Sequence, residues 1–390
     1  KKKMKKYFSL FLALALVLMM FAGCGGSPEP AAPAAPAETP ADGSTAPAET
    51  PAPAGEKLKV ANVVNGNLGD KSFFDSCEAG LSQLAADGII EYKTFELGPT
   101  DADQPKWLST LEELSADGSY DLIVCGTYQM PDYLTQVATN YPDQKYLIYD
   151  SAVDLPNVVC VNYKQNDMGY LVGTAAALAT SSDLPNMNPE KVIGFVGGEN
   201  GPVINDFLVG YIQGAQAADP DVKIDTQYVG NFYDTGAAKE LANVMIGQNK
   251  CDIVWGVAGG AGNGAAEAAN ELKAWFIGVD SDQEATFSIA QPELAAVTLF
   301  SGLKNIGDSI IWVINEQLAG NTHYGETLNL GISEGGVSLA TGGNFQTLPD
   351  DIKKAVEDAT TKITSGEIVV DTAFGDNAAD VEAIREGARP

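Results

Sequence analysis

From residue 57 onward the chain alternates two textures. Short, unbroken apolar runs are bounded by Gly, Asp and Asn. Between them lie longer stretches whose apolar residues recur every three or four positions. The first kind reads as strands buried on both faces, the second as amphipathic helices. Predicted strands are 58–64, 92–97, 122–125, 145–149, 158–163, 192–196, 223–229, 253–257, 275–279 and 296–300. Predicted helices are 74–86, 104–114, 131–140, 169–179, 205–217, 235–248, 264–272 and 303–317. Such alternation implies parallel sheets covered by helices on both sides, an α/β fold. Roughly 290 residues in this pattern exceed what one such core commonly holds, so two lobes are expected.

The first 56 residues have a different pattern. Lys1-Lys2-Lys3-Met4-Lys5-Lys6 forms a basic head, 8–21 is apolar, and Ala22-Gly23-Cys24 closes the segment. This order predicts a bacterial lipoprotein export signal over 1–23, with the Cys24 thiol carrying the lipid. Phe21 stands where Leu is usual. The apolar run is too short for a spanning helix, which needs about 20 residues. Residues 27–56, almost all Pro, Ala, Glu and Thr, cannot bury enough surface to fold and read as an extended tether. The expected location is the extracytoplasmic face of the cell membrane, held there by lipid.

Charge narrows the class of partner. The chain has 52 acidic and 23 basic residues, a net −29. Losing 1–23 removes five of the 23 basic residues and no acidic one, which moves the net charge to −34. Such a surface repels phosphate and argues against nucleic acid as a partner. The one histidine, His323, lies in a Gly/Asn-rich turn, which disfavours histidine acid/base catalysis and a multi-His metal site. Cys77, Cys125, Cys160 and Cys251 are scattered without a CxxC, so they read as buried thiols rather than zinc ligands.

In open parallel sheets, ligands sit beyond the carboxyl ends of the strands. Asn65, Asp150, Gly197-Gly198, Gly259-Gly260 and Asp280 each follow a predicted strand. Together they predict a cleft. Gly260, Gly262 and Ala265 also satisfy a G-x-G-x-x-A dinucleotide fingerprint, with Asp280 about 20 residues on. An exported NAD-dependent oxidoreductase is therefore one reading. Against it, the motif comes late in the chain, and no constellation for hydride chemistry accompanies it.

Five segments in order carry a resemblance: Gly69-Asp70-Lys71-Ser72-Phe73, Gly194-Phe195-Val196-Gly197-Gly198, Pro202-Val203-Ile204 through Phe207, Ala258-Gly259-Gly260-Ala261-Gly262, and Ile277-Gly278-Val279-Asp280-Ser281-Asp282. The chain resembles the BMP (basic membrane protein) family of lipoproteins, substrate-binding components of ABC importers whose better-known members bind purine nucleosides. The resemblance runs from about Leu58 to Ala340. It implies the type I periplasmic-binding-protein fold, two lobes joined by three crossovers, placed near Tyr163, Phe300 and Leu328. Lobe one is then 57–162 plus 301–328, lobe two 163–300 plus 329–375, and 376–390 a C-terminal tail.

The resemblance also implies a site. Phe73 would stack on a base and Phe207 cover its other face. Asp150 would face the ligand, Asp280 would accept from a ribose diol, and Lys304 would reach the sugar. Gly259 and Gly260 would present backbone donors, and Asp70 belongs to the same set. Asn65 and Phe74 stand where the family commonly has Asp and Asn, at positions expected to read the base edge. Asn65 adds donors to an acceptor-only position, and Phe74 removes an amide. The implied function is a monomeric, non-enzymatic receptor without cofactor, passing a nucleoside-like ligand to a membrane permease. A surface lipoprotein that has lost its ligand is the remaining alternative.

Overall fold

A computed structural model describes residues 57–390. The predicted export signal, Cys24 and the predicted tether lie outside the described residues. Among the described residues no helix is long and apolar enough to cross a membrane.

Elements are numbered along the chain. The strands are β1 (Leu58–Val64), β2 (Ile90–Glu96), β3 (Leu122–Gly126), β4 (Lys145–Tyr149), β5 (Val158–Tyr163), β6 (Val192–Gly197), β7 (Lys223–Tyr228), β8 (Cys251–Val257), β9 (Trp275–Asp280), β10 (Thr298–Lys304), β11 (Thr327–Leu330) and β12 (Val337–Leu339). The helices are α1 (Phe73–Ala86), α2 (Gln104–Asp117), α3 (Pro131–Asn140), α4 (Gln165–Thr180), α5 (Pro202–Ala218), α6 (Thr235–Gly247), α7 (Asn263–Leu272), α8 (Gln283–Ala290), α9 (Pro292–Ala295), α10 (Ile306–Leu318), α11 (Asp350–Thr364) and α12 (Val381–Ala388).

The strands form two six-stranded sheets, ordered β11-β5-β4-β3-β1-β2 and β12-β10-β9-β8-β6-β7. The first is wholly parallel. In the second only β12 runs antiparallel, against β10. The two orders match strand for strand, so each lobe repeats one plan. Central strands such as β3 and β8 are buried along their whole length, as strands covered on both faces must be.

The chain passes between sheets three times. The first passage follows Tyr163, the end of β5. The second lies at Asn305 rather than near Phe300. β10 continues through Lys304 because Ser301, Gly302 and Leu303 still pair with Gly278, Val279 and Asp280. Residues 301–304 therefore belong to the second sheet. The third passage follows Leu330 rather than Leu328, because Asn329 and Leu330 pair with Asn162 and Tyr163. The C-terminal segment is held against the second lobe, where α12 packs on α5 and β7.

Helices α4 and α5 pack unusually close. Gly169 and Gly173 on α4 face the backbone oxygens of Phe207 and Tyr211, and Gly210 and Gly214 on α5 face those of Asn166 and Tyr170. A Cβ at any of the four would collide with backbone. This contact fixes α5, which carries Phe207. Cys77, Cys125, Cys160 and Cys251 are buried free thiols.

Candidate ligand-binding site in the interlobe cavity

A cavity of about 420 Å³ lies between the lobes at the carboxyl ends of both sheets. Its size falls within the usual range for small-molecule sites. Asn65, Asp70, Phe73, Phe74, Asp150, Phe207, Gly259, Gly260, Asp280 and Lys304 all line it. The structure brings these ten together, but not all face the void in the expected way.

Three charges meet at one end. Asp150 follows β4 and Asp280 ends β9, the matching strands of the two sheets. Both have a left-handed backbone, with φ of 61° and 64°, which Asp tolerates better than most residues. Lys304 leaves β10 beside Asp280, yet its Nζ donates to Asp150 Oδ1 across the cleft at 2.6 Å. All three side chains are buried. Burial raises the carboxyl pKa of Asp150, and the Lys304 ammonium opposes that shift. Burial also raises Asp280, with Lys304 and the Ser72 hydroxyl opposing. So removal from water outweighs the compensation at both carboxylates.

Aromatic rings form the adjoining wall. Phe73 lies 5.3 Å from Tyr149, tilted by 37°, and meets Phe74 edge-on at the same distance. The Lys304 ammonium sits 4.7 Å from the Phe207 ring centre and 5.7 Å from that of Phe73. Phe207 meets Trp255 in a T-shaped contact, with ring centres 5.8 Å apart. Phe73 from the first lobe and Phe207 from the second thus both lie close to the lysine ammonium. Flat π faces beside a cation and two carboxylates suit a ligand with a planar part and a hydroxylated part.

The loop 65–75 differs from the sequence expectation. The Asp70 carboxylate accepts from the backbone N–H groups of Ser72 (3.0 Å), Phe74 (2.9 Å) and Asp75 (3.1 Å). It caps the start of α1, and both its oxygens are engaged there. Burial nonetheless raises its pKa to about 6. Asp75 accepts from Gly69 and Lys71 N–H and closes the same loop. The Phe74 ring lies directly over Gly66, where a Cβ would not fit. The two amide hydrogens of Asn65 go to Thr127 Oγ1 (2.9 Å) and Gln129 Oε1 (3.2 Å). Its Oδ1 is shielded from solvent and has no partner. Asn65 is therefore engaged within its own lobe.

This loop reaches the second lobe. Ser72 Oγ donates to Asp280 Oδ2 at 2.7 Å, Ser281 Oγ donates to the Ser72 carbonyl, and Asn263 Nδ2 to the Asp70 carbonyl. Asp280 thus serves both the cavity and the contact between lobes.

Sequence reading missed Thr127, Tyr128, Gln129, Glu199 and Phe232, which also line the cavity. Thr127-Tyr128-Gln129 follows β3 just as Asn65 follows β1, so the strand-end rule could have found it. Phe232 gives no such sign. Its ring rests on Gly198, where a Cβ would overlap it.

The glycine fingerprint has a structural explanation. Of its three positions, Gly262 packs against the Gly256 carbonyl, where a Cβ would sit 3.0 Å from the oxygen, and Ala265 is buried in α7. Close packing, not a pyrophosphate, accounts for Gly262 and Ala265, while Asp280 is bonded across the cleft by Ser72.

The two matched sheets and the cavity between them define a type I periplasmic-binding-protein fold, the class of ABC solute-binding proteins. A solved solute-binding protein from Aeropyrum pernix K1 superposes with a TM-score of 0.72 at 26% identity, covering 85% of this chain and 99% of that one. One from Conexibacter woesei matches with a TM-score of 0.63 at 22% identity, covering 82% and 100%. The family model "Bmp: ABC transporter substrate-binding protein PnrA-like" matches residues 57–373, and the chain belongs to that family. Relatives include the ABC transporter nucleoside-binding protein BmpA of Lactococcus lactis, 30% identical over 80% of this chain and 89% of that protein. Basic membrane protein A of Borreliella burgdorferi is 32% identical over 80% and 87%. The protein is an ABC transporter substrate-binding protein that takes a small molecule and works with a membrane permease. It is not an enzyme, and the oxidoreductase reading falls with that.

Proposed function

We propose that this protein captures a nucleoside, with a purine as its base, in the interlobe cavity. The observation that carries the reading is the juxtaposition of Phe73 and Phe207 with Asp280, Asp150 and Lys304 in one cavity of about 420 Å³. The rings would hold the flat base, and Asp280 would accept from the ribose diol. The Lactococcus relative, described as nucleoside-binding, supports the same class. A cavity of this size also speaks for ligand capture over a surface protein without a ligand. Mass spectrometry of what copurifies with the protein tests the reading. A purine nucleoside is expected, and a different ligand class in the cavity would overturn it.

The same proposal places the protein on the outer face of the cell membrane, tethered by lipid at Cys24 and acting as a monomer. The basic head, apolar run and Ala22-Gly23-Cys24 support it. Detergent phase partition of whole cells checks the anchor. The protein is expected in the detergent phase, and Cys24→Ser in the aqueous phase. Identical partition of both would refute the lipid anchor.

A further inference from the structure

Tyr128 reaches across the cleft. It belongs to the first lobe, in the turn after β3. Its hydroxyl donates to Glu199 Oε2 in the second lobe. Its ring meets Phe232 of the second lobe at 6.2 Å and 64°. All three residues line the cavity. This contact lies apart from the one between Ser72 and Asp280.

The turn that carries Tyr128 is strained. Thr127 has φ of +78°. A β-branched residue rarely adopts that conformation, and it persists only where neighbours impose it. Asn65 is one such neighbour, with its Nδ2 donating to Thr127 Oγ1. The Thr127 N–H also donates to the Tyr149 carbonyl at 3.2 Å, and its carbonyl accepts from Met130 N–H at 3.3 Å. On the other lobe Phe232 rests on Gly198, the residue before Glu199.

We infer that Asn65, Thr127, Tyr128 and Glu199 form a retention latch. Asn65 holds the strained turn, the turn aims Tyr128 at Glu199, and the bond between them sets how fast ligand leaves. Tyr128 and Glu199 make the latch, and Asn65 is a positioning residue. Both its amide hydrogens are used inside the first lobe, so it has no donor left to read the base. The inference rests on the capture reading only in that a small molecule occupies the cavity.

Stopped-flow binding of adenosine and guanosine to the full chain tests it. Tyr128→Phe and Glu199→Gln are each expected to speed release roughly tenfold, about 1.4 kcal/mol. Association should stay within about twofold, and the double variant should be no faster than either single. Asn65→Ala should speed release of both nucleosides alike and leave their affinity ratio unchanged. General damage to the fold would slow association as well. Unchanged release from Tyr128→Phe, or an altered affinity ratio in Asn65→Ala, would overturn the latch. Should neither nucleoside bind, the capture reading fails separately. Hydrogen exchange without ligand then decides the latch. Faster exchange at 127–130 and 198–200 in Tyr128→Phe is expected, and unchanged exchange contradicts it.

Discussion

Lys304 and Asp150 belong to different sheets, yet they form a buried ion pair of 2.6 Å across the cleft. The ammonium also faces the rings of Phe73, Tyr163 and Phe207. Buried pairs of this kind do little for net stability, but removing one partner leaves an uncompensated charge. Lys304→Met should destabilise the fold by about 3–5 kcal/mol. Lys304→Met with Asp150→Asn should recover much of that loss. Chemical denaturation reads both. A single variant as stable as wild type would show that the pair has no role in holding the lobes.

Asp280 has one oxygen bonded by Ser72. The other is expected to accept from a sugar hydroxyl. Hydrogen bonds to a charged group contribute about 1.5–3 kcal/mol. Asp280→Ala should therefore weaken ribosides by roughly 10- to 100-fold and free bases much less, as read by calorimetry. Equal losses for ribosides and free bases would refute the ribose role.

The α4–α5 contact makes a prediction about the scaffold. A Cβ at Gly173 would strike the Tyr211 carbonyl and the Ala215 N–H. Overpacking of this sort costs about 1–3 kcal/mol. Gly173→Ala should lower the thermal midpoint. Because Tyr211 is one turn from Phe207, ligand affinity should fall with it. An unchanged midpoint would mean that the helices separate freely.

Stability should fall as pH rises through the acid range. Burial raises the carboxyls of Asp70, Asp167 and Asp252 to about 6, above their ordinary value of 3.8. The folded state then holds more protons than the unfolded chain between those values. Stability from these groups is fully present below the ordinary value and is lost as pH rises through about 6. Calorimetry should give a higher thermal midpoint at pH 5 than at pH 8. Asp252 accepts from the Thr180 hydroxyl and the Asn188 N–H. Asp252→Asn should flatten the slope, and a steeper slope would contradict the assignment.

Much of the architecture was legible because buried parallel strands write unbroken apolar runs. β1, β4 and β5 lie where those runs predict them. Missed elements lack that signal. β11 and β12 have four and three residues, too few for a pattern. α11 is amphipathic, with only Ile352, Val356 and Ala359 buried, and lay beyond the reach of the strand–helix alternation. At the site, strand ends located Asp150 and Asp280. Sequence position could not show that Asp70 caps a helix or that Asn65 bonds the turn after β3, because both depend on partners brought in by folding. Phe232 was missed for the same reason, since it matters through Tyr128 of the other lobe, whereas Tyr128 follows a strand end and was open to the same rule as Asp150.

The most direct test is a calorimetric titration of the protein, stripped of copurified ligand, with adenosine, guanosine, inosine, their free bases and ribose. The account predicts saturable one-to-one binding of at least one purine nucleoside, tighter than its base or ribose alone. No heat with any nucleoside or base would contradict it.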